Sequence, residues 1–293
     1  MDAGDLRIFE AVARSGAMSR AAAELNTVQS NVTGRIRALE AELGAALFER
    51  HSRGVRLTQA GERLLPYAIC ARDLIAEAKR AVADDGTPRG RLTIGSLETT
   101  AAMRLAPVLS SYIGSWPEVD LVLRTGTTCE LIAAVRERQL EGAFVCGPIE
   151  DAELMQEKIF EEELVLVTRR GLRGLDALGR EGEVKIVVLR AGCSYRQRLE
   201  EILARRGIAD PRRLEFGTLE AILACVGAGL GVTLLPKALV AAGAGRVGLH
   251  ALPAAEARVE TVFVRRRDAY VSSALAAFLD LVRPGGAHAE AAE

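Results

Sequence analysis

The chain runs to 293 residues, 49% hydrophobic and 26% charged, with a formal net charge of -1. That length exceeds one ordinary core, so two or three domains are expected. The near-zero charge gives no global sign of nucleic-acid binding, which then depends on where the basic residues cluster. Five cysteines (Cys70, Cys129, Cys146, Cys193, Cys225) are scattered without any C-x-x-C pair, and there are three histidines. A disulfide framework and a zinc site are therefore not expected, and no cofactor motif is present. The start, Met1-Asp2-Ala3-Gly4-Asp5, has no apolar signal segment. The longest uncharged apolar run, residues 221–235, is too short for a bilayer and is broken by Gly227, Gly229 and Gly231. A cytoplasmic protein without a membrane partner is expected.

Leu6, Phe9, Val12 and Ala13 have helical spacing, and Ser15-Gly16 ends that helix. Ser19 is placed to cap a short Ala-rich helix over residues 20–25, whose small side chains allow close approach by a neighbour. After the turn at Asn26-Thr27, Val28, Val32, Ile36, Leu39 and Leu43 form one apolar stripe on a third helix. Its opposite face carries Ser30, Asn31, Gly34 and Arg37, flanked by Thr33 and Arg35. A helix that only meets water more typically carries long Glu and Lys side chains. A helix entering a major groove needs small residues for approach, amides or hydroxyls for base edges, and Arg for guanine or phosphate. Taken alone, the face is equally compatible with a solvated surface.

The following segments favour the groove. Residues 47–50 and 55–58 alternate like two strands around His51-Ser52-Arg53-Gly54. Three helices followed by an Arg-tipped hairpin give the order of a winged helix-turn-helix, with Arg50, Arg53 and Arg56 at the wing near the DNA backbone or minor groove. These stretches resemble the LysR-type transcriptional regulators. The resemblance rests on Ser19-Arg20-Ala21-Ala22-Ala23-Glu24-Leu25, Val28-Gln29-Ser30-Asn31-Val32-Thr33, Leu47-Phe48-Glu49-Arg50 and Leu57-Thr58-Gln59-Ala60-Gly61, in family order and spacing. Many members have Ser-Gln-Pro where this chain has Val28-Gln29-Ser30. On a helical wheel Gln29 falls near the buried stripe, so its role as a base reader comes from the resemblance.

Thr58 is placed to cap a long helix reaching about residue 83, bent at Pro66. Leu64, Ala68, Ala71, Ile75, Ala78 and Val82 form a coiled-coil seam on it. The seam fits a second copy of the chain, or packing onto its own domain. Residues 84–90, Asp-Asp-Gly-Thr-Pro-Arg-Gly, mark a boundary. The expected domains are a DNA-binding domain over 1–58, a dimerisation helix and hinge over 59–89, and an effector-binding domain over 90–293. Its first lobe is placed at about 90–162 and 266–285, its second at about 163–265.

After residue 90, strands and helices alternate: strands at 91–94, 121–124, 143–146, 164–168, 185–189, 214–216, 232–235 and 261–264, and helices from Thr99 and Glu130 and over 195–206, 219–228 and 269–282. An α/β domain with mainly parallel sheets is expected. Ligands in such domains bind beyond strand carboxyl ends, beside helix starts. Three strand-to-helix turns fit: the one through Ser96, Glu98, Thr99 and Thr100, the one through Cys193, Ser194 and Arg196, and the one at Thr218. Amides and hydroxyls there suit a carboxylate, although Ser96, Ser194 and Thr218 could equally serve as helix caps. Glu98 would meet a cationic group on the ligand, pair with Arg196, or support its own helix. Cys193 lies near Arg190 and Arg196 at a helix start, which would lower a thiol pKa and suit redox sensing, but a small packing residue or a ligand contact is the favoured reading.

Gly142-Ala143-Phe144 and the run from Ala228-Gly229-Leu230-Gly231-Val232 to Leu235-Pro236 extend the resemblance. It implies a two-lobed domain akin to periplasmic binding proteins. The effector would lie between the lobes near Ser96, Thr99, Thr100, Thr127, Cys146, Ser194 and Thr218. It also implies a dimer of dimers on a dyad operator in double-stranded DNA, with RNA polymerase as a further partner. A solute-binding protein would leave residues 1–89 unexplained, and no catalytic motif surrounds His51, His250 or His288. A regulator, not an enzyme, is the expectation.

Overall fold

The computed structural model describes residues 1–51, 54–172, 184–189, 193–241 and 246–283. It comprises two compact units, one of residues 1–84 with 137–139, the other of 85–136 with 140–293.

In the N-terminal unit, α1 (Ala3–Ser15) begins with a reciprocal cap, the Asp5 amide donating to Asp2 and the Asp2 amide to Asp5. It ends at Gly16, whose φ of 67° is the left-handed conformation that glycine tolerates. The second helix, α2 (Met18–Glu24), starts earlier than its sequence pattern indicates: Ala17 is the capping residue, without a side-chain bond, and Ser19 lies exposed inside the helix. The third, α3 (Gln29–Leu43), packs Val32, Ile36 and Leu39 against Phe9, Val12 and Ala21. The ends of the expected stripe are not buried. Val28 has extended backbone (φ -93°, ψ 148°), which takes it out of helical phase, and its side chain is 65% exposed. Leu43, in the last turn, is 40% exposed.

Strands β1 (Phe48–His51) and β2 (Gly54–Leu57) form the antiparallel hairpin, Phe48 opposite Leu57. The Glu40 carboxylate accepts the amides of Leu47 and Phe48 at 2.8 and 3.2 Å, tying α3 to the hairpin. Helix α4 (Gln59–Ala83) is capped by Thr58 and runs through Pro66 without a break. Its seam divides. Ala68 is buried and Leu64 half-buried against the N-terminal core, and Arg72 reaches the buried Glu10 carboxylate of α1 at 2.6 Å. Ile75, Ala78 and Val82 are exposed. The first part of the stripe thus packs within its own domain, and the remainder has no cover from this chain's N-terminal core.

The second unit is a mixed-sheet domain, not a mainly parallel one. Strand β3 (Gly90–Ser96) pairs in parallel with β4 (Val119–Thr125) and β5 (Gly142–Gly147). Strand β6 (Leu154–Thr168) and β11 (Arg258–Arg266) pair antiparallel along nearly all of β11, which also pairs antiparallel with β5. The far end of β6 pairs antiparallel with β9 (Thr233–Pro236) and β10 (Gly248–Ala251). A separate parallel pair joins β7 (Lys185–Leu189) to β8 (Arg212–Phe216). Two lobes result, with β6 running through both. Phe144, Phe263 and Phe278 pack in the first, and Leu166, Ile186 and Leu199 in the second.

The helix expected from Thr99 is three pieces: α5 (Glu98–Thr100), a π-helical turn (Ala101–Leu105) and α6 (Ala106–Ser115). Arg104 in that turn pairs with Glu162 of β6 at 2.9 Å, and its guanidinium lies 5.7 Å from the Phe160 ring centroid. Helix α7 (Thr128–Arg136) follows β4, and α8 (Ser194–Ala204) and α9 (Leu219–Gly227) serve the second lobe. Strand β10 and the short helices α10 (Lys237–Ala241) and α11 (Ala254–Ala257) are further elements beyond the sequence expectations. The last helix, α12 (Ser273–Val282), starts four residues later than expected because Ser272 caps it, accepting the Leu275 amide at 3.1 Å.

Gly61 shows how tightly α4 seats on the hairpin: a Cβ there would stand 2.3 Å from the Leu47 carbonyl oxygen and 2.8 Å from Leu57. Gly61→Ala is expected to destabilise the N-terminal unit by about 2 kcal/mol, the usual cost of overpacking. Calorimetry of the full chain reads this directly, and an unshifted transition would show that α4 has room to move.

Candidate functional site

The exposed face of α3 carries Gln29, Ser30, Asn31, Gly34 and Arg37, with Thr33 half-buried. No heavy atom lies within 4 Å of a Cβ built on Gly34, so this face is open as well as polar. The Asn31 amide donates to the Thr27 hydroxyl at 3.0 Å, which holds it at the start of the helix. Arg35 turns away from that face: its Nε lies 2.7 Å from Asp5 and its Nη2 3.0 Å from Asp2. The two capping carboxylates of α1 draw the guanidinium inward, so Arg35 holds α3 against α1. On the hairpin, Arg56 is exposed. Arg50 belongs to β1, its side chain lying outside the described residues, and Arg53 also lies outside them.

The second site is a cleft lined by both lobes of the sensor unit, a concavity of the kind in which small molecules bind. From the first lobe, Leu97, Glu98 and Thr99 at the α5 start, Thr125 at the end of β4, and Gly126 and Thr127 after it line the cleft. From the second come Leu189 at the end of β7, Cys193, Ser194 and Tyr195 at the α8 start, and Gly217 after β8. The cleft therefore lies beyond strand carboxyl ends, as α/β geometry favours.

Of the residues expected there, Glu98, Thr99, Thr127 and Ser194 line the cleft. Ser96 and Thr100 are buried behind it, the Ser96 hydroxyl donating to the Leu97 carbonyl at 2.9 Å. Cys146 is half-buried against the second lobe's core. Arg196 bonds to Glu215 at 2.6 Å and Glu200 at 3.3 Å, so it is taken up by carboxylates of its own lobe. Thr218 is exposed and caps α9 through the Ala221 amide at 3.3 Å. The three hydroxyls are thus not three equivalent caps: Thr218 caps, Ser96 bonds locally, and Ser194 follows the capping residue Cys193.

Two residues at or beside the cleft, Thr128 and Tyr195, were missed in the sequence. The Ser194 hydroxyl donates to the Thr128 hydroxyl at 2.8 Å, a direct bond between α8 and α7 across the lobes. Thr128 Oγ1 also accepts the Cys146 amide at 3.4 Å. The tandem Thr127-Thr128 was the available signal, but the resemblance points only to the first. Thr127 instead forms a reciprocal cap with Glu130, its amide donating to that carboxylate at 2.8 Å. Tyr195 is 5% exposed, and burial pushes its phenol well above the usual range despite a hydrogen bond with Thr99, so it is neutral at physiological pH. An aromatic following Ser194 gave no sign of lining the cleft, because a buried Tyr in a helix reads equally as core.

Burial also pushes the Cys193 thiol up, outweighing the Arg196 and Tyr195 amides that pull it down. A lowered thiol pKa is not found, since desolvation penalises the thiolate more than helix-start amides stabilise it. Arg190 lies outside the described residues.

A winged helix-turn-helix joined to a two-lobed domain around a cleft defines a ligand-responsive DNA-binding regulator. Comparison with known families agrees. Residues 3–62 match a family model described as "Bacterial regulatory helix-turn-helix protein, lysR family", and residues 85–287 match "LysR substrate binding domain". The chain belongs to the LysR family of transcriptional regulators, a family of regulators and not of enzymes. It is 43% identical over 280 residues to the HTH-type transcriptional regulator GltR of Bacillus subtilis (strain 168), covering 95% of each chain. To YofA of the same organism it is 43% identical over 282 residues, covering 96% of this chain and 98% of that one. Full-length CbnR complexed with its target DNA has a similar fold, with a TM-score of 0.64, 24% identity and coverage of 96% and 99%. A full-length OxyR variant from Pseudomonas aeruginosa also has a TM-score of 0.64, at 19% identity and coverage of 91% and 89%. Among the described residues, no helix is long and apolar enough to cross a membrane.

The raised Cys193 thiol sets a reactivity order. At about pH 7.5 iodoacetamide is expected to label exposed Cys129 well before Cys193, because the thiolate is the reacting form. Peptide mass mapping over time measures it, and equal rates would contradict a desolvated Cys193.

Proposed function

We propose that this regulator binds a dyad operator as a dimer of dimers, and that a small carboxylate metabolite in the sensor cleft alters promoter binding or activation. The observation that carries the DNA reading is the open, short-chained face of α3, with Gln29, Ser30, Thr33 and Arg37 placed to read base edges and Gly34 allowing approach. Asn31 supports the start of that helix, and Arg35 its seating on α1. The wing, with Arg50, Arg53 and Arg56, supplies backbone affinity. We assign DNA binding to residues 1–58, dimerisation and hinge to 59–89, and effector binding to 90–293, in a cytoplasmic protein with RNA polymerase as a further partner.

A carboxylate suits the cleft because no side chain caps the start of α8, where Cys193, Ser194 and Tyr195 line it and the Tyr195 and Arg196 amides draw the Cys193 thiol towards its anionic form. An anionic oxygen is a better acceptor for the same donors. Thr99, Thr127 and Ser194 add hydroxyls from both lobes. Ser96, Thr100, Cys146 and Thr218 shape the cleft from behind or beside it, and Glu98 orients a cationic or hydroxyl group on the ligand.

Three measurements test this reading. Arg56→Ala is expected to weaken all duplexes alike and to flatten the salt dependence of binding by about one unit of slope. A changed base preference at full affinity would place the wing elsewhere. Ile75→Asp puts charge on the exposed part of the α4 seam, and sedimentation should show dissociation of the native assembly. An unaltered mass with intact folding would remove α4 as the dimer contact. Finally, a thermal-shift panel of small mono- and dicarboxylates on the full chain should raise the sensor transition for at least one. Calorimetry with that compound should then lose about 1 kcal/mol in Thr99→Val and in Ser194→Ala. Full affinity in both variants would put the ligand outside the cleft.

A further inference from the structure

We infer that Val28 is a specificity-determining residue that packs its methyl groups on the 5-methyl of a thymine in each half-site. The capping position of a helix ordinarily holds Ser, Thr, Asp or Asn, whose side chain accepts an amide of the first turn. Val28 occupies that position with no side-chain cap bond. Its carbonyl alone engages the helix, accepting the amides of Asn31 at 3.1 Å and Val32 at 3.3 Å. Its side chain is 65% exposed, whereas Val32, one turn on, is fully buried. Val28 therefore serves neither the cap nor the core.

Two local rules are broken at one residue, and such breaches concentrate at functional positions. The place decides the function. Residues at the N-terminal end of a recognition helix meet base edges, and exposed Gln29 and Ser30 follow directly. With the Asn31 amide bonded back to Thr27, Val28 is the bulky apolar group at this end of α3. In the major groove the thymine methyl is the apolar feature of a base edge. Val28 beside the amide of Gln29 thus suits a thymine next to a base read by hydrogen bonding.

This inference rests on α3 being the base-reading helix. Operator duplexes are selected from a random pool with the full-length protein, and each thymine is then replaced singly by deoxyuridine, which lacks only the methyl. For one thymine per half-site, the native chain is expected to lose about fourfold in affinity, the worth of one buried methyl. Val28→Ser and Val28→Ala should bind the thymine and deoxyuridine duplexes equally. Val28→Ser, which restores a capping hydroxyl, should keep or raise the thermal midpoint. If the variants discriminate as the native chain does, or if no thymine matters to the native chain, the inference falls. A changed oligomeric mass without altered discrimination would assign Val28 to a contact between chains and also overturn it. Gln29→Ala separates the two levels. If it changes base preference while the Val28 variants do not, only Val28 is misassigned; if neither changes it, the reading of α3 fails.

Discussion

The sensor unit depends on β6, a strand of fifteen residues that belongs to both lobes. Residues 154–163 pair with β11 around a bulge at Ile159, and residues 164–168 pair with β9 and β10. One lobe cannot move without twisting a backbone shared with the other. The cleft is consequently framed by elements whose relative positions are set by main-chain hydrogen bonds, and the groups that line it stand at the ends of those elements. Thr125 and Leu189 end strands, while Thr99 and Ser194 begin or lie near the start of helices.

A comparable economy governs the N-terminal unit. Asp2 and Asp5 cap α1 and hold Arg35, Glu40 holds the hairpin amides, and Glu10 takes Arg72 of α4. Four carboxylates, on α1, at its cap and on α3, therefore fix the third helix, the wing and the linker in relation to one another. The face of α3 that points outward is left with short or uncharged groups and Arg37. Rigid support under a sparse surface is what base readout requires, because a misplaced amide reads nothing.

Much of this was legible in the sequence, and the failures have physical causes. Val32, Ile36 and Leu39 announced the buried face of α3, and the hairpin followed from alternation. Val28 was misplaced because helical phase was extended through a residue whose backbone is not helical. The first part of β6, Gln-Glu-Lys-Ile-Phe-Glu-Glu-Glu at 156–163, was missed because Glu and Lys disfavour strands in isolation; pairing with β11 overrides that preference. The cleft was found through strand-to-helix turns, but the bonding of individual hydroxyls was not, since Ser194 and Thr128 meet only in the folded chain. Arg35 and Arg196 looked available because their carboxylate partners lie on other elements: α1 for the first, β8 among those for the second.

The pair of Arg104 and Glu162 shows how such ties constrain change. Glu162 is 7% exposed on the shared strand, and Arg104 lies on the turn that continues the cleft-lining segment. Removing either partner strands a buried charge, whereas replacing both with well-packed neutral groups is far milder. Sequence drift can therefore pass through these two positions only jointly. The history of the cleft-lining segment is coupled, one paired substitution at a time, to that of the strand that carries both lobes.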